Sequence, residues 1–150
     1  MKFGSIFVIA LTLTTLPVAG QTPSQRQRTP LSAQQQLARD IFKELIEINT
    51  TDSSGNTTLA AEAMAARLRA AGFAAADVQV LGPNPRKGNL VVRLRGIGTR
   101  KPILLLAHLD VVEARREDWS FDPFKFIERD GYFYGRGTND IKSGAALLVA

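Results

Sequence analysis

The amino-acid sequence predicts an α/β fold: a layered domain built on a mixed, largely parallel sheet flanked by helices. Three observations carry this prediction. Apolar residues recur at helical spacing over residues 35–48 and 58–71. The period then shortens to that of strands. Residues 102–107 form an unbroken apolar run, as a central strand does when both of its faces are covered. Helix patterns followed by strand patterns favour helices layered on a sheet.

The first residues read as a processing signal. Lys2 supplies a positive start, and residues 6–16 are an apolar run too short to span a bilayer. Val18 and Gly20 stand where a signal peptidase inspects the chain, which makes Gln21 the expected mature start. Residues 1–20 are therefore expected to be a signal peptide, with the protein secreted or periplasmic; the alternative is a short membrane anchor. No cysteine occurs in the chain, so disulfides and a lipid-modified cysteine are both excluded. Residues 21–34 are polar and contain proline, the pattern of a flexible leader.

In the first helix Leu37, Ile41, Leu45 and Ile48 define a stripe that Phe42 and Ile46 widen. Turn formers over residues 49–56 end it. The second helix has Ala60, Met64, Leu68 and Ala71 on its apolar side and Gly72 as its stop. Val78 and Val80 alternate with Gln79, Gly82 to Pro85 break the chain, and residues 90–95 read as a strand. Asp130 and Gly131, between Ile127 and Tyr132, are a strong two-residue hairpin signal. Gly135 and Gly137 precede a final helix whose apolar residues run to Ala150 without a polar stop, so the chain is expected to be cut in mid-helix.

The formal net charge is +5. The basic residues are scattered (Arg67 and Arg69, Arg93 and Arg95, Arg115 and Arg116) rather than forming a stripe interleaved with aromatics, which argues against a nucleic-acid partner.

Two clusters carry chemistry. The apolar run ends in His108-Leu109-Asp110, and residues i and i+2 of an extended chain share a side, so the imidazole and the carboxylate are neighbours. Such a pair serves as a metal ligand with its orienting carboxylate, as part of a hydrolytic triad, or as a plain structural histidine. In the second cluster Gly135 and Gly137 allow a sharp turn that places Asp140 just before a helix, where an N-cap is its bland alternative. The glycine spacing matches neither phosphate-binding motif. With no Gly-x-Ser-x-Gly elbow and no cysteine, a nucleophilic hydrolase is disfavoured and a two-metal site using histidine and carboxylates is more natural.

Together the clusters resemble the dizinc metallopeptidase family of acetylornithine deacetylase, succinyl-diaminopimelate desuccinylase, aminoacylase and glutamate carboxypeptidase. The matching pieces are residues 105–112 around His108, then Trp119 with Asp122, Pro123 and Phe124, then residues 130–142 through Asp140 and Lys142. Ser143 stands where the family often has glycine. The resemblance implies that His108 ligates one metal, that Asp140 bridges two and precedes a cis peptide, and that Asp110 is the active-site carboxylate steering His108. Trp119 and Asp122 would pack beside the site.

It further implies two zinc ions per full-length subunit, with cobalt a substitute, and hydrolysis of amide bonds in peptides or N-acyl amino acids. Rival expectations are a metal-dependent esterase or phosphoesterase, or a binding protein that kept the fold. Residues 35–150 would be the N-terminal part of the catalytic domain. The family's general-base Glu, its remaining ligands and a lid domain that often mediates homodimerisation would lie beyond residue 150. This stretch alone is accordingly expected to be inactive and marginally folded, with no stable membrane association once the signal is cleaved.

Overall fold

The computed structural model describes residues 30–150. The signal-peptide reading of residues 1–20 and the leader as far as residue 29 lie outside the described residues. Residues 31–150 form one compact unit, in which helix α1 (Ala33–Glu47) packs on a second helix, α3 (Lys142–Val149).

Helix α1 starts two residues before its predicted span of 35–48 because Ser32 caps it. The Gln35 amide donates to the Ser32 hydroxyl at 3.2 Å and the Gln35 side chain accepts from the Ser32 amide at 2.9 Å, a reciprocal capping box. Ile41, Phe42, Leu45 and Ile46 are buried, as their spacing requires; Leu37, one turn nearer the start, stays exposed. Helix α2 (Thr57–Ala70) is capped by Asn56, whose side chain accepts from the amides of Thr58 and Leu59. Its other end is a Schellman motif. Gly72 has φ +95°, its amide reaches Arg69, and the Phe73 amide reaches Leu68. Ala71 becomes the cap residue and is exposed, so the buried face is completed by Ala61 and Ala65 instead.

Strands β1 (Val78–Leu81) and β2 (Asn89–Val92) pair antiparallel, with Val78 opposite Val92 and Leu81 opposite Asn89, and α2 packs on both. The strand pattern read through Arg95 leaves the ladder at Val92. Beyond it, the Arg95 guanidinium clamps the two oxygens of Asp77 at 2.7 and 2.8 Å. Strands β3 (Ile127–Arg129) and β4 (Tyr132–Tyr134) form the predicted hairpin. Asp130 (φ +54°) and Gly131 (φ +83°) occupy its turn with the two positive angles that a tight hairpin needs. Phe42, Phe126 and Phe133 meet with ring centroids 5.0–5.7 Å apart and tie this hairpin to α1.

The α/β class stands, and the strand pairs among the described residues are antiparallel. The run at 102–107 differs from its predicted role as a covered central strand. Ile103, Leu104, Leu105 and Leu106 are exposed, and none of them belongs to a ladder. A central strand draws its hydrogen bonds and its cover from elements on either side. None of the described elements stands there. Also among the described residues, no helix is long and apolar enough to cross a membrane.

Candidate metal centre

The segment that follows α1 positions His108. Thr50 is buried; its hydroxyl donates to the Leu109 carbonyl at 2.6 Å, and its own carbonyl accepts from the Val111 amide at 3.2 Å. The chain is thus gripped on both sides of Asp110. Val111 turns into the interior, while His108 and Asp110 remain at the surface.

A turn over residues 135–142 presents Asp140. The Arg136 amide donates to the Pro123 carbonyl at 2.7 Å, the Thr138 hydroxyl to the Gly135 carbonyl at 3.1 Å, and the Lys142 amide to the Gly137 carbonyl at 3.1 Å. Gly137 has φ +87°, and a Cβ there would lie 2.8 Å from Val111 and 3.0 Å from the Lys142 stem. Only glycine lets the turn lie this close to the His108 segment. The Asp140–Ile141 peptide is cis, as the resemblance implied. Ile141 is the residue preceding α3, and no side chain caps that helix, so Asp140 does not play the N-cap role.

The two segments bring His108, Asp110 and Asp140 together. Asp140 Oδ1 lies 3.0 Å from His108 Nε2. On the other side of the ring, His108 Nδ1 lies 3.0 Å from the Asp110 carbonyl and 3.4 Å from its carboxylate. Every partner is an acceptor. The ring satisfies both sides only as the imidazolium, or as a neutral ring holding a cation where the Nε2 proton would be. The hydrogen bond to Asp140 is the main reason that the His108 pKa is raised, against some loss of hydration and with help from Asp110.

That arrangement fits a metal ion. Tetrahedral zinc, with bonds of about 2.0–2.1 Å, sets its ligand atoms about 3.3 Å apart, close to the separation of Nε2 and Oδ1. The Nδ1–H held by Asp110 fixes the tautomer that exposes the Nε2 lone pair. Two donors do not complete a shell, however. No group of three or more such side chains able to hold a metal gathers among the described residues.

A cavity of about 290 Å³ opens here, lined by His108, Asp110, Asp140, Arg136 and Trp119 among others. The Arg136 guanidinium stacks 5.0 Å from the Trp119 ring centroid and donates to the Glu113 carbonyl at 3.2 Å. Asp122 stands back from the cavity and accepts from the Phe124 amide at 2.9 Å, holding its own turn. A roomier recess of about 460 Å³ beside α1 is lined by Asp40, Lys43, Glu44, Glu47, Ile48 and Arg67. Four of its five charges pair with one another, Lys43 with Glu47 and Arg67 with Glu44, and Asp40 accepts from Gln36, so it offers no convergent chemistry.

Comparison with known proteins points the same way as this geometry. Residues 104–150, which contain His108, Asp110 and Asp140, match the model of peptidase family M20/M25/M40. The match covers under a third of the chain. Over 75 residues the chain is 39% identical to a probable succinyl-diaminopimelate desuccinylase of Staphylococcus epidermidis, covering 49% of this chain and 18% of that protein. A protein of the same description from Staphylococcus aureus is 42% identical over 73 residues, 47% of this chain and 18% of its own length. The human N-fatty-acyl-amino acid synthase/hydrolase is 51% identical over 49 residues, a third of this chain and 10% of the human protein. The matched stretch thus spans under a fifth of the length of these relatives.

The sequence alone did not disclose two residues that support the site. Thr50 lay in what reads as a run of turn formers, and its threonine pattern carries no sign of a partner 59 residues away. Lys142 was part of the recognised motif but had no role. Its side chain is fully buried and its ammonium donates to the carbonyls of Leu45 and Ile48 at 2.7 and 2.9 Å. Burial pushes its pKa down to about 8.

Proposed function

We propose that the whole protein is a metal-dependent hydrolase that cleaves amide bonds in peptides or N-acyl amino acids through a pair of zinc ions. The observation that supports it is the His108 ring, held by Asp110 at Nδ1 and facing Asp140 at Nε2. In this reading His108 and Asp140 would be ligands, with Asp140 shared between the two ions. Bound there, divalent ions supply Lewis acidity toward a carbonyl and toward water. The Asp110 carbonyl and carboxylate hold the Nδ1–H, which fixes the ring in direction and turns Nε2 toward Asp140. Trp119 and Arg136 wall one side of the cavity, where they exclude water and shape the approach of substrate. The similarity to a probable desuccinylase and to an N-fatty-acyl-amino acid synthase/hydrolase favours an acyl-amide bond over a phosphate ester. The signal-like pattern of residues 1–20 supports an enzyme that works outside the cytoplasm.

The test assays the full-length protein, zinc-loaded, on dipeptides, N-acyl amino acids and a phosphate monoester side by side. Amide cleavage that requires zinc is expected. Asp140→Ala should lower it by about a hundred-fold or more with the circular dichroism spectrum unchanged. Turnover within a few-fold of wild type, or a preference for the phosphate ester, refutes the proposal.

A further inference from the structure

Lys142 is fully buried, yet among the described residues its ammonium bonds neither to His108 nor to any carboxylate. Its ammonium instead sits against Leu45 and Ile48, the last turn and cap of α1. Helix C-terminal carbonyls lack intrahelical donors and carry the negative end of the helix dipole. The last turn of α1 contains no basic residue of its own, so the cation comes from 94–97 positions downstream. Two residues beyond that cap, Thr50 grips Leu109 and Val111. One short stretch, from Leu45 to Thr50, therefore anchors both arms of the site. Lys142 fixes the turn that bears Asp140, and Thr50 fixes the segment that bears His108.

We propose that Lys142 is a positioning residue for metal binding, which with Thr50 makes the C-terminal end of α1 the common anchor that sets the His108–Asp140 separation. This rests on the reading of His108 and Asp140 as ligands. The contact between arms is tight: the Lys142 stem and Val111 both lie against Gly137. With the ammonium removed, two buried carbonyls lose their donor and the turn is released from α1. A ligand pair allowed to drift loses metal affinity even where each ligand remains, and supporting groups of this kind are worth about 10–100-fold.

The test measures zinc affinity of the full-length protein by competition with a chromophoric chelator, at a temperature where circular dichroism shows each variant folded. Lys142→Met should weaken zinc about ten-fold or more in the wild-type background. In an Asp140→Ala background the same change should add less than about two-fold, because the ligand it positions is gone. Equal losses in both backgrounds, or unchanged affinity, overturn the positioning role. Should Lys142→Met fail to fold, Thr50→Val carries the test: it keeps the shape and deletes the hydroxyl bonded to Leu109. A loss of about ten-fold supports the shared anchor and unchanged affinity overturns it. Zinc binding that depends on His108 but on neither anchor residue sinks this inference alone. A wild-type protein that binds no zinc, or binds it equally as His108→Ala, sinks the ligand reading and the inference with it.

Discussion

Replacing Gly137 by alanine separates backbone strain from crowding at the point where the two arms of the site meet. The backbone at Gly137 has φ +87°, and an L-residue held at such an angle costs about 1–2 kcal/mol. The added methyl would stand 2.8 Å from Val111 and 3.0 Å from Lys142. Both neighbours are buried, Lys142 completely, so the methyl must displace packed side-chain atoms. Overpacking of this kind costs about 1–3 kcal/mol more. Gly72 supplies the control, because it has a similar φ of +95° and nothing within 4 Å of where its Cβ would be. Urea denaturation of the chain should therefore show Gly72→Ala destabilising by about 1 kcal/mol and Gly137→Ala by about 3 kcal/mol. Both lose the same glycine entropy from the unfolded chain, so the difference reports crowding alone. A Gly137→Ala variant no less stable than Gly72→Ala would refute the close approach of the two arms.

His108 is the only histidine in the chain, so its imidazole resonances are unambiguous by NMR. In the metal-free chain its pKa should lie above the ordinary 6.5 and fall back toward it in Asp140→Ala, since the hydrogen bond to Asp140 is the largest cause of the rise. A folded pKa above the unfolded one contributes stability that is fully present below about 6.5 and fades as pH climbs through the raised value. A titration at or below 6.5 in the wild-type chain would exclude the hydrogen-bonded ring. In the core, Leu45→Ala should cost about 2–5 kcal/mol by thermal or urea unfolding, because Leu45 is fully buried between helices. A cost under about 1 kcal/mol would mean that α1 is not packed as described.

What the sequence discloses about this fold depends on how far each interaction reaches along the chain. Helices α1 and α2 and the Asp130–Gly131 hairpin were legible because periodicity, a glycine stop and a turn dipeptide act within a few residues. The pairing of His108 with Asp110 was legible for the same reason, as neighbours on one side of an extended chain. Its meeting with Asp140, 32 residues on, came only through the resemblance. The run at 102–107 was misjudged as covered because hydrophobicity announces a wish for cover and not its supplier. Asp77 with Arg95, Thr50 with Leu109 and Lys142 with Leu45 join segments 18, 59 and 97 residues apart. A lone lysine or threonine has no period to betray such a partner.

Trp119 is the chain's single tryptophan, and it stands in the wall of the cavity with the Arg136 guanidinium on its face. Indole emission responds to nearby charge and to water at the ring. The protein therefore carries an optical gauge beside His108 and Asp140. Anything entering the cavity that shifts Arg136 or displaces solvent from the ring registers as a change in light, with no label to disturb the site it reports on.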